Sequence, residues 1–163
     1  MENYKYLSID PSGSGTTGLF FYDSEKKEET FSSFKSKIWK EHFEFIKNFC
    51  EEKKVDYIIY ETTNFIKVRG YDLTSLFKMF GIIESLIYFI PRLKKCETVL
   101  VREVKTTYKK IKENVLEIEN VYFKPGRGGG WFRNNKKISL HELDAFLIFY
   151  CYIKKNNLEK ILN

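Results

Sequence analysis

The chain has 163 residues, of which 43% are hydrophobic and 17% aromatic, enough apolar surface to close the core of one ordinary domain and too much for a disordered or low-complexity segment. Lys and Arg total 28 against 22 Asp and Glu, a formal charge of +6. That balance favours a polyanionic partner, but an A/T-rich coding sequence also enriches Lys, Asn, Ile, Phe and Tyr, so position has to carry the functional argument.

The chain opens on MENYKYLSID, with no basic and apolar leader ahead of the first strand pattern, and a cytoplasmic location is expected. Tyr4 to Asp10 alternates and stops at Pro11. After the turn PSGSG, Thr17 to Asp23 is a second aromatic and β-branched run, so the two read as a hairpin, and Glu29 to Lys35 reads as a third, more exposed strand. From Trp39, apolar residues at Phe43, Ile46 and Cys50 mark one helical face. Val55 to Glu61 (VDYIIYE) is the pattern of a strand covered on both faces, expected beside the first. Asp72 is placed to cap a helix from Leu73 to Ile90, whose Lys78 and Glu84 argue for a buried helix and against a membrane span. Glu97 to Val101 then reads as a fifth strand and Lys105 to Val115 as a short helix. Asn120 to Lys137, containing PGRGGGW, reads as a mobile loop ahead of a last helix over Ile138 to Lys155. The sum is an α/β domain with a mixed sheet and helices against it. Cys50, Cys96 and Cys151 form no C-x-x-C pair, which speaks against a disulfide framework and a zinc site, and they are expected to be reduced and buried.

Two acids stand where nothing local requires them. Asp10 ends the first strand and Glu61 ends the fourth, and if those strands are neighbours the carboxylates lie side by side at one sheet edge. Crowded carboxylates raise one another's pKa unless a cation intervenes, and a hard divalent ion suits such a pair. In SLHELDAF, His141 and Asp144 share one face at the start of the last helix, with Ser139 and Glu142 spaced as a capping box.

In this order the motifs LSIDPSGSGTTGLFFYD, VDYIIYE and HELDAF resemble those of the RuvC family of Holliday junction resolvases. The resemblance implies a ribonuclease H-like fold, a mixed five-stranded sheet with helices on both faces, and a single RuvC-like nuclease domain over residues 1–163. It implies a catalytic and metal-binding set of Asp10, Glu61, His141 and Asp144 around two Mg²⁺ ions, replaceable by Mn²⁺, with Asp10 bridging. Ions held about 4 Å apart clamp the attacking and leaving oxygens of an in-line displacement. VREVKTTYKKI resembles the segment ahead of the last motif, which places Lys105 in the family's Lys position. The family often has an aromatic three residues after the second acid, whereas here Asn64 stands there and Phe65 follows. The implied activity is resolution of four-way junctions in DNA recombination and repair, by a homodimer paired through the helix 73–90.

On that reading Lys67, Arg69, Lys105, Lys109, Lys110, Arg127, Arg133, Lys136 and Lys137 would meet phosphates, and Phe65, Tyr71 or Trp131 would stack on unpaired bases. PGRGGGW matches neither phosphate-cradling glycine pattern, so no nucleotide cofactor is expected. Two other readings stay open: a ribonuclease H-like nuclease acting on an RNA/DNA hybrid or a fork, and a non-catalytic DNA-binding module on the same fold.

Overall fold

The turn after Pro11 lets the chain fold back on itself, so that β1 (Lys5–Asp10) and β2 (Thr16–Asp23) pair antiparallel in the computed structural model, which describes residues 3–62 and 71–162. A second reversal, at residues 24–27, brings β3 (Glu28–Lys35) antiparallel onto β2. The helix α1 (Trp39–Lys53) then carries the chain back over the sheet, as a parallel return requires, and β4 (Tyr57–Thr62) enters parallel to β1. A second crossover, α2 (Tyr71–Phe89), delivers β5 (Lys95–Leu100) parallel to β4, which completes a mixed sheet of order β3-β2-β1-β4-β5.

Period-two alternation along these strands divides the core in two. Leu7, Ile9, Leu19, Ile58 and Tyr60 face α1 and α2, where Ile46, Cys50, Met79, Ile83 and Leu86 form the opposing buried stripe. Tyr6, Phe20, Tyr22 and Ile59 face the other way, toward α3 (Val101–Lys112) and α4 (Leu140–Lys155). Burial is heaviest on α4, where Leu143, Phe146, Leu147, Ile148 and Phe149 are all enclosed. Glu84, which interrupts the apolar run of α2, accepts a 2.6 Å hydrogen bond from the Tyr60 hydroxyl. No helix among the described residues is long and apolar enough to cross a membrane.

Several boundaries differ from the sequence reading. Helix α3 begins at Val101, directly after β5, so Val101 to Val104 are helical, and it ends at Lys112, ahead of the exposed Val115. Asp72 lies inside the first turn of α2, not ahead of it. Of the cysteines only Cys50 is fully buried; Cys96 and Cys151 are half-buried, and all three are free thiols.

The larger correction concerns Asn120 to Lys137. This segment is not a loop but a second, antiparallel sheet of β6 (Val121–Lys124), β7 (Gly130–Arg133) and β8 (Lys136–Ile138). Asn134 and Asn135 both take positive φ, 49° and 62°, which is the two-residue reversal that matches strand twist. Each strand sends one apolar side chain, Val121, Trp131 or Ile138, into the core beneath α3 and α4. Replacing Trp131 by Ala should therefore lower the free energy of urea unfolding by about 3 kcal/mol, the range for deleting a buried aromatic ring. A mobile loop would give a change within about 0.5 kcal/mol.

Candidate active site

The register of the central strands builds the site. Parallel pairing sets Ile9 beside Tyr60, so Asp10 and Glu61 are the next positions of adjacent strands at one sheet edge. Alternation gives Asp10 the side of Tyr6, and Glu61 that of Ile59, the side that carries α4. Across the hairpin, Asp10 pairs with Gly18. A Cβ at Gly18 would overlap the carbonyl oxygen of His141 and come within 3.0 Å of the Glu142 nitrogen. The missing side chain is thus the space in which the start of α4 rests on β2. One turn further along, the buried Ser8 hydroxyl donates to the Ala145 carbonyl at 2.7 Å, tying the helix to β1 as well. The expected capping box is present: Ser139 Oγ accepts from the Glu142 amide at 3.2 Å and the Glu142 carboxylate accepts from the Ser139 amide at 2.7 Å.

This arrangement brings His141 Nδ1 to 2.8 Å from Asp10 Oδ2, with Asp10 16% and His141 44% exposed at the side chain. The hydrogen bond to Asp10 is the main reason the imidazole pKa is raised above its ordinary value, with the Asp10 and Asp144 charges adding to it. Burial pushes Glu61 up to about 7, helped by the charges of Asp10 and Asp144 and opposed by Lys105. Asp144 rises to about 6, again first by burial and then by Asp10, with His141 and Lys105 opposing. All four residues singled out in the sequence therefore fall within one electrostatic neighbourhood, and Lys105 is a cation that acts on it.

Among the described residues, no three His, Cys, Asp or Glu side chains are drawn close enough to ligate one ion. The donor chemistry nevertheless fits a hard divalent cation, because three carboxylates and one imidazole act on one another at a sheet edge where burial and like charge disfavour the ionised forms of Glu61 and Asp144.

The basic residues fall into three groups. Lys105, Arg127, Lys136 and Lys137 are exposed, with Lys137 Nζ 3.3 Å from the Gly128 carbonyl, and Lys109 is exposed in an ion pair with Glu113 at 3.7 Å. Arg133 is committed inward: its guanidinium pairs with Glu29 at 3.1 Å, donates to the Glu119 carbonyl and lies 4.9 Å from the Phe146 ring centroid. Phe65, Lys67 and Arg69 lie outside the described residues, as does the side chain of Tyr71. Trp131, expected to stack on bases, is buried against Tyr108 and Phe123. Sequence reasoning missed the roles of Gly18 and Ser8; the small residues of β2 and the one Ser in an otherwise apolar β1 were the available signals.

No family model matches the chain, and no curated protein matches it. Among solved structures it is similar to Thermus thermophilus RuvC in complex with a Holliday junction substrate, at 12% identity and a TM-score of 0.62 over 95% of this chain and 96% of that one. It is similar to a second structure of Thermus thermophilus RuvC at 12% identity and a TM-score of 0.61, over 94% and 96% of the two chains. The yeast mitochondrial Holliday junction resolvase aligns at 12% identity and a TM-score of 0.50, over 95% of this chain and 80% of that one. The fold is accordingly ribonuclease H-like, the one these structures share.

Gly18→Ala should lift α4 from the hairpin, at a cost of about 2 kcal/mol, and return the His141 titration followed by NMR toward its ordinary value of 6.5. An unchanged His141 pKa would show that the close approach does not set the Asp10 contact. The raised carboxylates give a second expectation. Because folded Glu61 and Asp144 hold protons more tightly than the unfolded chain, stability in chelator should fall as pH rises from about 4 to about 7, through their ordinary values of 4.5 and 3.8 and their folded values of about 7 and about 6. Loss of the His141 proton at the upper end acts in the same direction. Glu61→Gln should flatten that decline, raising Tm at pH 8 by a few degrees, roughly 3 °C.

Proposed function

We propose that the chain, residues 1–163, is a single RuvC-like nuclease domain: a divalent-metal-dependent endonuclease that hydrolyses phosphodiester bonds in branched DNA, with the four-way junction as its substrate. The observation that carries this reading is the meeting of Asp10 and His141 at 2.8 Å, in a neighbourhood shared with Glu61 and Asp144, from three segments remote in sequence. The likeness to a RuvC structure holding a Holliday junction substrate supports the choice of a branched DNA.

Asp10, Glu61, His141 and Asp144 are the residues that would hold Mg²⁺ or Mn²⁺. When bound, the metal supplies Lewis-acid stabilisation of the phosphoryl oxygens and a more acidic water. The chain's own side chains do the rest. Three carboxylates repel a phosphodiester, so attraction of the substrate falls to cations around them. Lys105, whose charge already acts on Glu61 and Asp144, would hold a phosphate. Lys109, Arg127, Lys136 and Lys137 extend that charge, giving salt-dependent affinity with little sequence preference. Arg133 is left out because Glu29 and Phe146 occupy it. His141 serves as a ligand, positioned by Asp10, and not as the general base.

A homodimer through α2 belongs to the same reading, because one helix face is buried on the sheet while Phe77, Tyr88 and Phe89 remain 42%, 86% and 66% exposed. Pairing two copies there would bury that face and set two sites on one junction.

Asp10→Asn should abolish Mg²⁺-dependent cleavage of a four-way junction while leaving junction binding in chelator unchanged. Undiminished cutting would end the metal reading, whereas cutting of hybrids or forks in preference to junctions by the wild type would move the substrate and keep the chemistry. In sedimentation the wild type should run as a dimer and Tyr88→Asp with Phe89→Asp as a monomer; a wild-type monomer that still cuts junctions symmetrically would refute the α2 interface.

A further inference from the structure

The small sheet β6-β7-β8 has two faces, and only one is used by the core. Val121, Trp131 and Ile138 turn inward. The cross-strand row Tyr122, Phe132, Lys137 turns the other way, with Lys124 on the same face two residues beyond Tyr122. Tyr122 is 42% exposed, and its ring stacks on that of Phe132 with centroids 5.3 Å apart and planes 6° from parallel. The Tyr122 hydroxyl donates to Asn135 Oδ1 at 3.2 Å. The three strands read VYFK, GWFR and KKI and contain no acid. Arg127 stands exposed in the turn beside them, between Gly126 and Gly128, whose positive φ angles of 90° and 80° any other residue would strain to adopt.

A cross-strand aromatic pair stabilises a small sheet by a few tenths of a kcal/mol to about 1 kcal/mol. That purpose does not require both rings on the outer face, nor lysines on both sides with no acid between them. Rings with an open edge, flanked by cations, are what a single strand of nucleic acid needs: a surface for its bases and charge for its phosphates. The sheet also runs straight into the site. Lys137 precedes His141 by four residues, so their Cα atoms lie within about 14 Å, the span of roughly four stacked nucleotides.

We propose that the outer face of this sheet is a binding platform for unpaired DNA, with a base stacking on the Tyr122–Phe132 pair and phosphates meeting Lys124, Lys137 and Arg127. The choice of DNA rests on the nuclease reading; the platform itself does not require cleavage. The test is fluorescence anisotropy of the full chain with a labelled oligothymidine in chelator, so that no metal-dependent step enters.

Tyr122→Thr with Phe132→Thr preserves strand propensity and should keep the melting transition while weakening single-strand binding about tenfold and duplex binding far less. Tyr122→Phe should bind as the wild type does. Lys124→Ala with Lys137→Ala should reduce the slope of log affinity against log salt by about 0.7 per lysine. Oligothymidine binding unchanged in the double Thr variant, or absent in the wild type, would overturn the platform. Loss of cleavage in Asp10→Asn with single-strand binding intact is the expected result if both readings hold. A wild type that binds and never cuts would end the nuclease reading alone.

Discussion

The contact on which the site depends is made by an absent atom. Gly18, opposite Asp10 across the first hairpin, lets the backbone of His141 settle where a Cβ would stand. That approach fixes the first turn of α4 over β1 and β2, and from it follow the Asp10–His141 hydrogen bond and the entry of Asp144 into the same field. The Ser8 bond to Ala145 and the Ser139–Glu142 box hold the same turn from its two ends. With the helix start held on both sides, His141 has little freedom to place its ring elsewhere, and a half-exposed imidazole becomes an ordered group.

The site so built works against itself. Glu61 and Asp144 are kept partly protonated near neutral pH by burial and by their neighbours; among the described residues Lys105 opposes both shifts and His141 that of Asp144. The fold tolerates this because the instability is confined to one edge, while Leu7, Ile9, Ile58 and Ile59 in the strand interiors supply the packing. On the reading proposed above, a bound divalent cation would offset that electrostatic cost.

The second sheet gives the molecule a feature that a metal site alone would lack. Its inner face is anchored by one core residue per strand, and Arg133 is drawn in by Glu29 and Phe146. Its outer face is left to aromatics and lysines. Since β8 passes into α4 through Ser139 alone, whatever that face holds is fixed in relation to the acid cluster by the same cap that fixes His141.

The amino-acid sequence alone determined the five main strands and the two crossover helices and singled out Asp10, Glu61, His141 and Asp144 as candidates, because each rests on local chemistry. Apolar alternation marks a strand, an acid at its end has no structural purpose there, and Ser139 with Glu142 announces a helix whose next positions are His141 and Asp144. The glycine contact, the inward turn of Arg133, the burial of Trp131 and the β6-β7-β8 sheet were decided only in three dimensions. Strands of three or four residues that place a single side chain in the core carry no readable period, and their pairing is set by partners far along the chain. A glycine in a strand shows nothing of what will pack against it, because the helix that does so begins more than a hundred residues later.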